Sequence, residues 1–148
     1  MTSGYSGTPL AKKLSFKDGM RAWRSGIPGN VAKEIAASGV QLQLLDSPQA
    51  PIDAAHIFVT ERADLEAKLQ SLMPTLVRDG FIWVSWPKKA SKVPTDITED
   101  TIRDVALPMH LVDVKVCSVD EIWSGLKLVI RKDFRSQAVR GTAENGTR

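Results

Sequence analysis

An apolar run from Phe81 to Trp86 is the feature that most constrains the fold of this 148-residue chain. Pro87 ends the run abruptly, and three lysines follow at once, Lys88, Lys89 and Lys92. The pattern indicates a buried strand that delivers a cationic loop to one edge of a sheet. In open α/β sheets, ligands bind at the loops that leave the carboxyl ends of strands. The run therefore predicts where a functional site lies, without indicating its function.

Strand patterns alternate with helical patterns along the rest of the chain. Apolar or alternating runs predict six strands, at residues 20–24, 40–45, 53–59, 81–86, 112–116 and 126–130. Helical spacing and capping residues predict helices at 8–14, 31–38, 60–76 and 96–107. This order indicates a largely parallel sheet with helices on both faces, and the last two strands are predicted to form an antiparallel hairpin.

Helix starts are predicted from side chains that can cap a helix. Thr60 can cap the third helix, and Asp96 with Glu99 resembles a capping box for the fourth. The resulting prediction is a single-domain, three-layer Rossmann-like α/β fold over residues 8–132. A flexible N-terminus, residues 1–7, is expected before it, and a disordered basic tail, residues 133–148, after it.

One connection is difficult to fit into a parallel sheet. Only seven residues, Ser47 to Asp53, separate the second and third predicted strands, whereas a parallel crossover usually needs a dozen or more. Fully extended, seven residues span about 24 Å, which would just allow a link across the sheet. The alternatives are that the strand at 40–45 runs antiparallel or is wrongly assigned.

Composition excludes several classes of protein. The chain has the usual length of one domain, and no apolar run approaches the length of a membrane span. Its first residues lack the pattern of a secretory signal, so a cytoplasmic location is expected. Cys117 is the only cysteine, and with His56 and His110 it matches no zinc spacing. No metal site is predicted.

The net charge of +3 is unevenly distributed. Residues 1–30 carry five basic and one acidic group, and residues 131–148 carry five and two, while residues 31–130 carry ten and fourteen. The basic excess therefore lies at the two ends. This distribution argues against nucleic acid as a partner, since nucleic-acid-binding domains carry a basic face on the fold itself.

The first candidate site is the glycine-containing segment that follows the first predicted strand. Gly26 and Gly29 could let backbone amides approach a phosphate or carboxylate, with Asn30 in the next position. Asp46 follows the second predicted strand, where nucleotide-binding α/β folds place an acid for ribose hydroxyls. Pro28 departs from the glycine pattern because it has no amide donor. The alternative interpretation is an ordinary turn.

The second candidate site is the lysine-containing loop. Lys88, Lys89 and Lys92 could bind phosphates or carboxylates as point charges, and Trp86 could stack on a planar ligand. The alternative is a solvated basic loop whose tryptophan completes the core.

The remaining candidates offer no catalytic arrangement. Asp120 and Glu121 are adjacent, so an extended segment would point them in opposite directions, and Trp123 beside them is expected to fill a packing gap. His56 lies among apolar residues and is expected to be a core histidine with its hydrogen bonds satisfied, rather than a base. No nucleophile with an activating partner is evident, so no catalytic residue is predicted.

Several segments together resemble one family. They are Tyr5–Leu14, Trp83–Lys89, Val93–Asp96 and Val112–Leu126. On these segments the chain resembles the small bacterial proteins grouped as domain of unknown function 3052, over about Tyr5 to Arg131. That family implies no established activity and no catalytic residues.

The order of elements is also similar, more distantly, to class I methyltransferases. That similarity implies that Gly26, Gly29 and Asp46 correspond to the S-adenosylmethionine loop and its ribose-binding acid. Pro28 interrupts the glycine motif, and the seven-residue link leaves no room for the helix–strand–helix that follows the acid-bearing strand in those enzymes. The expected fold is therefore methyltransferase-like but truncated.

The favoured functional prediction is a non-catalytic module, without a cofactor, that binds an anionic small molecule or a protein partner. Neither a membrane nor nucleic acid is expected as a partner. The first alternative is an S-adenosylmethionine-dependent methyltransferase. The second is an accessory protein that binds polyanions through its basic ends.

Overall fold

The computed structural model describes residues 8–137, which form one six-stranded sheet with helices on both faces. The strands are β1 (Arg21–Ser25), β2 (Gln43–Leu44), β3 (Ile52–Phe58), β4 (Leu76–Pro87), β5 (Leu111–Ser118) and β6 (Trp123–Ile130). The α-helices are α1 (Leu10–Lys13), α2 (Gly29–Ala37), α3 (Arg62–Leu72) and α4 (Glu99–Ala106). Short 3₁₀ helices occur at Met73–Thr75, Lys89–Ser91, Leu107–Met109 and Lys132–Gln137.

The strand order is β2-β1-β3-β4-β6-β5. Strands β1 to β4 are parallel, and β6 runs antiparallel to both β4 and β5. The predicted α/β fold, with its mostly parallel sheet and its antiparallel hairpin, is confirmed. Strand β1 pairs with β2 along one of its edges and with β3 along the other, so the order of strands reverses at β1. The carboxyl ends of β1 and β3 therefore form the topological switch point, where ligands of such sheets bind.

The short link between β2 and β3 is the extended crossover that the sequence left as one option. β2 pairs with β1 in parallel, so the antiparallel alternative is wrong. Strand β2 has only two residues, and the link runs from residue 45 to residue 51. Leu45 donates its N–H to the carbonyl of Ala22 at 2.9 Å and packs against the core. A two-residue strand needs little return distance, which is why seven residues suffice.

The sheet separates two apolar layers. We call the side covered by α3 and α4 the α3/α4 face; its buried side chains include Ile57, Leu69, Ile82, Val84 and Ile102. The side covered by α1 and α2 is the α1/α2 face; its buried side chains include Leu14, Val31, Ala54, Phe58 and Trp83. Strand β3 alternates between the layers, and His56 falls on the α1/α2 face with Ala54 and Phe58.

Two helix starts differ from the predictions. Thr60 does not cap α3, which begins at Arg62; the Asp96 carboxylate instead accepts from the Arg62 N–H at 2.7 Å. The predicted capping box at Asp96 is likewise displaced along the chain. Thr98 caps α4, because its hydroxyl accepts from the Thr101 N–H and the Thr101 side chain reaches back to the Thr98 N–H.

Strand β4 is twice as long as predicted and includes Leu76, which the sequence assigned to a helix. Helix α3 ends at Leu72 and the chain turns through Pro74, after which Leu76 already belongs to β4. The strand pairing with β3 shifts register before Phe81. Gly80 permits the close approach there, because a Cβ at this position would lie 2.8 Å from a Leu76 methyl carbon.

The end of the described chain continues beyond the predicted domain boundary at residue 132. Residues 133–137, predicted to be disordered, belong to the last 3₁₀ helix, and Phe134 stacks on His110 with ring centroids 3.8 Å apart. The rest of the predicted tail and the predicted flexible residues 1–7 lie outside the described residues. Between residues 8 and 137, no helix is both long and apolar enough for a membrane span.

Candidate functional site

The Gly26 turn lies at the switch point of the sheet. Gly26 has a φ of +71°, a conformation that favours glycine. A Cβ at Gly26 would lie 3.1 Å from the carbonyl oxygen of Phe58, the last residue of β3. The turn therefore approaches the end of β3 closely, and Gly26 itself is exposed.

Helix α2 begins directly after this turn. Pro28 is its N-cap residue, and the Pro28 carbonyl accepts from the N–H groups of Val31 and Ala32 at 3.1 and 3.0 Å. The N–H groups of Gly29 and Asn30 bond to no other group between residues 8 and 137. Despite the missing amide of Pro28, two amides of exposed residues remain unbonded at the positive end of the helix.

Asp46 and Arg24 lie at the same edge. Asp46 follows Leu45, the last residue whose N–H bonds to β1, and its side chain is exposed. Arg24 is half-buried at the end of β1, and within the described chain its guanidinium has no hydrogen bond or ion pair. Burial lowers the pKa of Arg24. A half-buried guanidinium without a carboxylate is the kind of group that an anionic ligand would satisfy.

The hairpin loop at residues 119–122 connects the two predicted sites. Asp120 accepts a hydrogen bond from the Asn30 amide at 3.0 Å on one side. On the other side, the Lys88 N–H donates to the Ile122 carbonyl at 2.7 Å, and the Lys88 ammonium donates to the Ser118 hydroxyl at 2.7 Å. The glycine turn and the start of the lysine loop thus lie at one edge, with the hairpin loop between them.

Unlike Lys88, the other two lysines of this loop do not hydrogen-bond to the hairpin loop within the described residues. Lys89 and Lys92 are exposed and form no ion pair with any carboxylate of the described chain. Trp86 is only 9% exposed and packs in the core of the α3/α4 face. The predicted role of Trp86 as a stacking surface does not fit this burial, whereas the alternative, that it completes the core, does.

Trp123, rather than Trp86, has a partly buried ring near the carboxyl edge of the sheet. Its ring meets Phe58 edge to face, with centroids 5.2 Å apart, and its side chain is only partly buried on the α1/α2 face. The Trp123 N–H donates to the Asp120 carboxylate at 2.7 Å. Sequence reasoning assigned this tryptophan to packing, and the contact with Phe58 supports that role while also placing the ring beside the switch point.

A buried polar pair lies behind the edge. His56 Nε2 and the Ser85 hydroxyl are 2.8 Å apart, and both side chains are fully buried. His56 Nδ1 has no hydrogen-bond partner among the described residues. Burial, with a smaller contribution from the charge of Arg24, lowers the pKa of His56 to about 3. His56 is therefore a neutral core histidine, as predicted, but it is not fully satisfied, because Nδ1 has no partner among the described residues.

Sequence reasoning missed two residues of this site. Arg24 is a lone charged residue in a strand, and its pairing with His56 on β3 was needed to place it on the α1/α2 face. Asp120 was dismissed as half of an ineffective acid pair. Its hydrogen bond to Asn30 depends on a contact across 90 positions of sequence, which no local pattern reveals.

Comparisons with known proteins agree with this architecture. The chain is similar to a SAM-dependent methyltransferase from Aquifex aeolicus, with a TM-score of 0.55, 14% identity, and coverage of 82% of this chain and 88% of the other. It is also similar to magnesium protoporphyrin IX methyltransferase from Synechocystis with bound SAH, with a TM-score of 0.53, 11% identity, and coverage of 82% and 79%. No protein-family model and no curated protein matches the chain. Membership in the domain of unknown function 3052 family therefore stays a prediction.

The structural likeness corrects three linked predictions. The sequence favoured a non-catalytic module, leaned against an enzyme and expected no cofactor. The solved structures with this fold include methyltransferases, one of them with bound SAH and one with bound SAM. They favour the alternative, an S-adenosylmethionine-dependent enzyme, over the module. The sequence argument failed because it treated Pro28 and the short link as signs of lost function. At these low identities the likeness shows a methyltransferase-like fold.

Proposed function

We propose that this protein binds S-adenosylmethionine at the switch point and transfers its methyl group. The observation that supports the proposal best is the placement of the Gly26 turn against the end of β3, in a sheet with the methyltransferase-like fold. Ligands of open α/β sheets bind at this position. The exposed amides of Gly29 and Asn30 and the acid Asp46 lie at the same edge.

The residues at the edge fit the chemical groups of the cofactor. The Arg24 guanidinium and the free amides at the start of α2 would hold the carboxylate of the methionine portion. Asp46 would accept hydrogen bonds from the ribose hydroxyls. Phe58 and Trp123 offer aromatic surface beside these groups. Pro28 does not conflict with this fit, because its carbonyl caps the helix and its missing amide is not required.

When bound, S-adenosylmethionine supplies a methyl group on a positively charged sulfur. The residues of this chain would bind and orient that donor. His56 would stay neutral behind the site, since its low pKa excludes protonation near neutral pH. Asp120 would hold the hairpin loop in place through Asn30 and the N–H groups of Ile122 and Trp123.

Isothermal titration calorimetry with S-adenosylmethionine and S-adenosylhomocysteine tests the binding step. We expect micromolar affinity for the intact protein and a loss of at least about tenfold in Asp46→Asn, since a hydrogen bond to a charged group contributes about 1.5–3 kcal/mol. The matched control is Asp104→Asn, which removes an exposed acid from α4 and should leave affinity unchanged. Undetectable binding at millimolar cofactor would overturn the proposal.

A second variant separates the anion contact from the ribose contact. Arg24→Gln should weaken S-adenosylmethionine, which has a carboxylate, and should leave binding of 5′-methylthioadenosine, which lacks the carboxylate, nearly unchanged. An equal loss of affinity for both compounds would contradict the role given to Arg24.

The cytoplasmic location expected from the sequence remains a prediction.

A further inference from the structure

Five lysines from distant parts of the chain lie along the α1/α2 side of the sheet, from the hairpin loop toward the amino ends of the strands. We call them the lysine cluster, and its members are Lys13, Lys17, Lys88, Lys115 and Lys127. The Lys115 ammonium donates to the Lys13 carbonyl at 3.2 Å, and the Lys13 ammonium donates to the Ser118 carbonyl at 3.2 Å. Lys115 and Lys127 are direct neighbours across the hairpin. The cluster therefore spans α1, the loop after it, the end of β4 and both strands of the hairpin.

Within the described residues, the cluster has no ion pair with a carboxylate. Several nearby acids are hydrogen-bonded elsewhere: Asp18 accepts from the Gln41 N–H, Asp113 pairs with Arg103, and Asp120 accepts from Asn30. Asp53 and Asp79 line a cavity with Lys17 without forming an ion pair with it. Four of the ammonium groups donate to carbonyl or hydroxyl oxygens, as Lys127 does to Ser15 at 3.0 Å.

The lysines are close enough to influence one another. Burial lowers the pKa of Lys127, and the charges of Lys115 and Lys17 lower it further. Burial raises the pKa of Cys117, and the charges that oppose this rise belong to Lys13, Lys115 and Lys88. Like charges held together without a counter-charge are unfavourable in the free protein. A negatively charged partner would relieve that repulsion.

The fold creates this patch from a part of the sequence that looked acidic. Lys88, Lys115 and Lys127 belong to the stretch 31–130, which has four more acids than bases. Many of those acids lie on the opposite side of the sheet, where α4 alone carries Glu99, Asp100 and Asp104. The charge is thus separated across the sheet, and the basic face required for nucleic-acid binding is present on the fold itself.

The cluster is continuous with the candidate cofactor site. Lys88 bonds to Ser118, Ser118 donates to the Asp120 carbonyl at 3.4 Å, and the Asp120 carboxylate accepts from Asn30. A polymer lying along the cluster would therefore reach the edge where the Gly26 turn is exposed. This continuity relates the surface to the site of the proposed reaction.

We propose that the lysine cluster binds the phosphate backbone of single-stranded RNA or DNA, and that nucleic acid is the substrate that the protein methylates. The statement about the substrate rests on the proposed function, whereas the binding surface does not. A nucleic-acid strand carries one negative charge per about 3.4 Å of rise, a regular spacing that suits several adjacent lysines without intervening acids. Lysines bind such phosphates as point charges, independent of sequence.

Fluorescence anisotropy with a labelled single-stranded RNA of about 20 nucleotides tests the surface on the full chain. For four phosphate contacts, affinity should fall about 50-fold between about 50 and 200 mM salt, because each contact contributes about 0.7 to the logarithmic salt slope. Lys13→Glu/Lys115→Glu should weaken binding at least about tenfold and reduce the slope. Lys132→Glu, the same charge change at an exposed lysine of the last 3₁₀ helix, should change affinity less than about twofold.

The alternative outcomes are distinct. Equal weakening by Lys132→Glu, or no binding at low salt, would overturn the proposal. Displacement of the RNA by poly-glutamate at equal charge concentration would assign the surface to an acidic protein partner instead. Full retention of affinity in Lys13→Glu/Lys115→Glu, with loss in Arg140→Gln/Arg148→Gln, would assign RNA binding to the chain terminus.

The two proposals fail separately. If RNA binds and S-adenosylmethionine does not, the proposed function is wrong and the surface remains. If the cofactor binds and RNA does not, only the substrate proposal is wrong. If both bind, transfer of a radioactive methyl group from the cofactor to RNA decides whether the polymer is the substrate, and its absence would overturn that part.

Discussion

The two faces of the sheet differ in what they bury. The α3/α4 face holds a continuous set of apolar side chains, and its surface carries acids with ion pairs such as Arg103 with Asp113 at 3.1 Å. The α1/α2 face holds a polar pair, His56 with Ser85, within its core and an unpaired guanidinium, Arg24, at its edge. Its surface gathers lysines without counter-charges.

This difference is the reason why both proposed binding sites are assigned to the α1/α2 face. Burying unpaired polar groups and clustering like charges both lower stability, and proteins concentrate such features at functional sites. The α3/α4 face can be described by packing alone. The α1/α2 face carries features that packing does not require, and Arg24, Lys88 and Asp120 among them lie near the switch point or the hairpin loop.

The largest expected effect concerns the α3/α4 face. Leu69→Ala removes a fully buried side chain from α3, and urea denaturation should show a loss of about 3 kcal/mol in the free energy of unfolding. Below the unfolding transition, affinity for S-adenosylmethionine should be unchanged, because this face holds no part of the candidate site. Leu107→Ala, at a position that is 47% exposed, is the control and should cost under about 0.5 kcal/mol. Altered ligand affinity in folded Leu69→Ala would contradict the division between the faces.

The next largest effect is a pH dependence of stability that arises from His56 on the α1/α2 face. His56 has a folded pKa of about 3 against an ordinary value of 6.5, so the unfolded chain binds more protons between these two values. The contribution of His56 to the free energy of unfolding should be fully present above pH 6.5 and should be lost as the pH drops toward 3. Between about pH 7.5 and 5, the loss should be about 2 kcal/mol.

Urea denaturation at the two pH values measures this loss. His56→Gln should remove most of it, while His110→Asn should retain it. If His56→Gln does not fold, an NMR titration of the intact protein replaces it, with the His56 ring expected to remain neutral at pH 5. A His56 ring that becomes protonated near pH 6.5 would contradict the prediction.

A smaller effect separates the two glycines of the candidate site. Gly26→Ala should cost about 1.5 kcal/mol, because Gly26 has a positive φ and its new Cβ would meet the Phe58 carbonyl. Gly29→Ala should change stability by under about 0.5 kcal/mol, since nothing lies within 4 Å of its Cβ position. Thermal unfolding of both variants measures the difference. Equal destabilisation would mean that the turn does not have the described conformation.

The smallest effect returns to the α3/α4 side of the molecule. Thr98→Ala removes the cap of α4 and should cost about 1 kcal/mol. Chemical denaturation should show this loss, and cofactor and RNA affinity should both be retained. Thr98→Ser keeps the hydroxyl and is expected to recover most of the stability. No loss in Thr98→Ala would show that the capping box contributes little.

The sequence predicted the fold well because its main signals are local. The apolar run at Phe81–Trp86 and the alternation in the hairpin each depend on a few adjacent residues. Helix starts were less predictable. Asp96 suits a cap of α4, but its carboxylate accepts from Arg62 at the start of α3, and Thr98 two residues later caps α4 instead. The length of β4 depended on Gly80 and on the register with β3, which no single segment specifies.

The candidate site was predicted in part. The glycine turn and Asp46 could be found because they occupy positions that the order of strands defines. The role of Trp86 could not be settled, since the two faces of a strand buried on both sides look alike in sequence. The lysine cluster was hidden because its members are spread from residue 13 to residue 127 and because overall charge conceals how charge is divided between two faces.

The two edges of the sheet limit how copies of this protein could associate. An exposed strand edge can pair with another chain, and proteins prevent this with short strands, irregular pairing and charged side chains. At one edge, β2 offers only two residues. At the other, β5 has eight residues and exposes Val114 and Val116, but its pairing is irregular between Asp113 and Lys115. The charge of Lys115 therefore also protects β5 from pairing with another chain. A glutamate at 115 would keep that protection, whereas an apolar residue there would favour strand-to-strand aggregation.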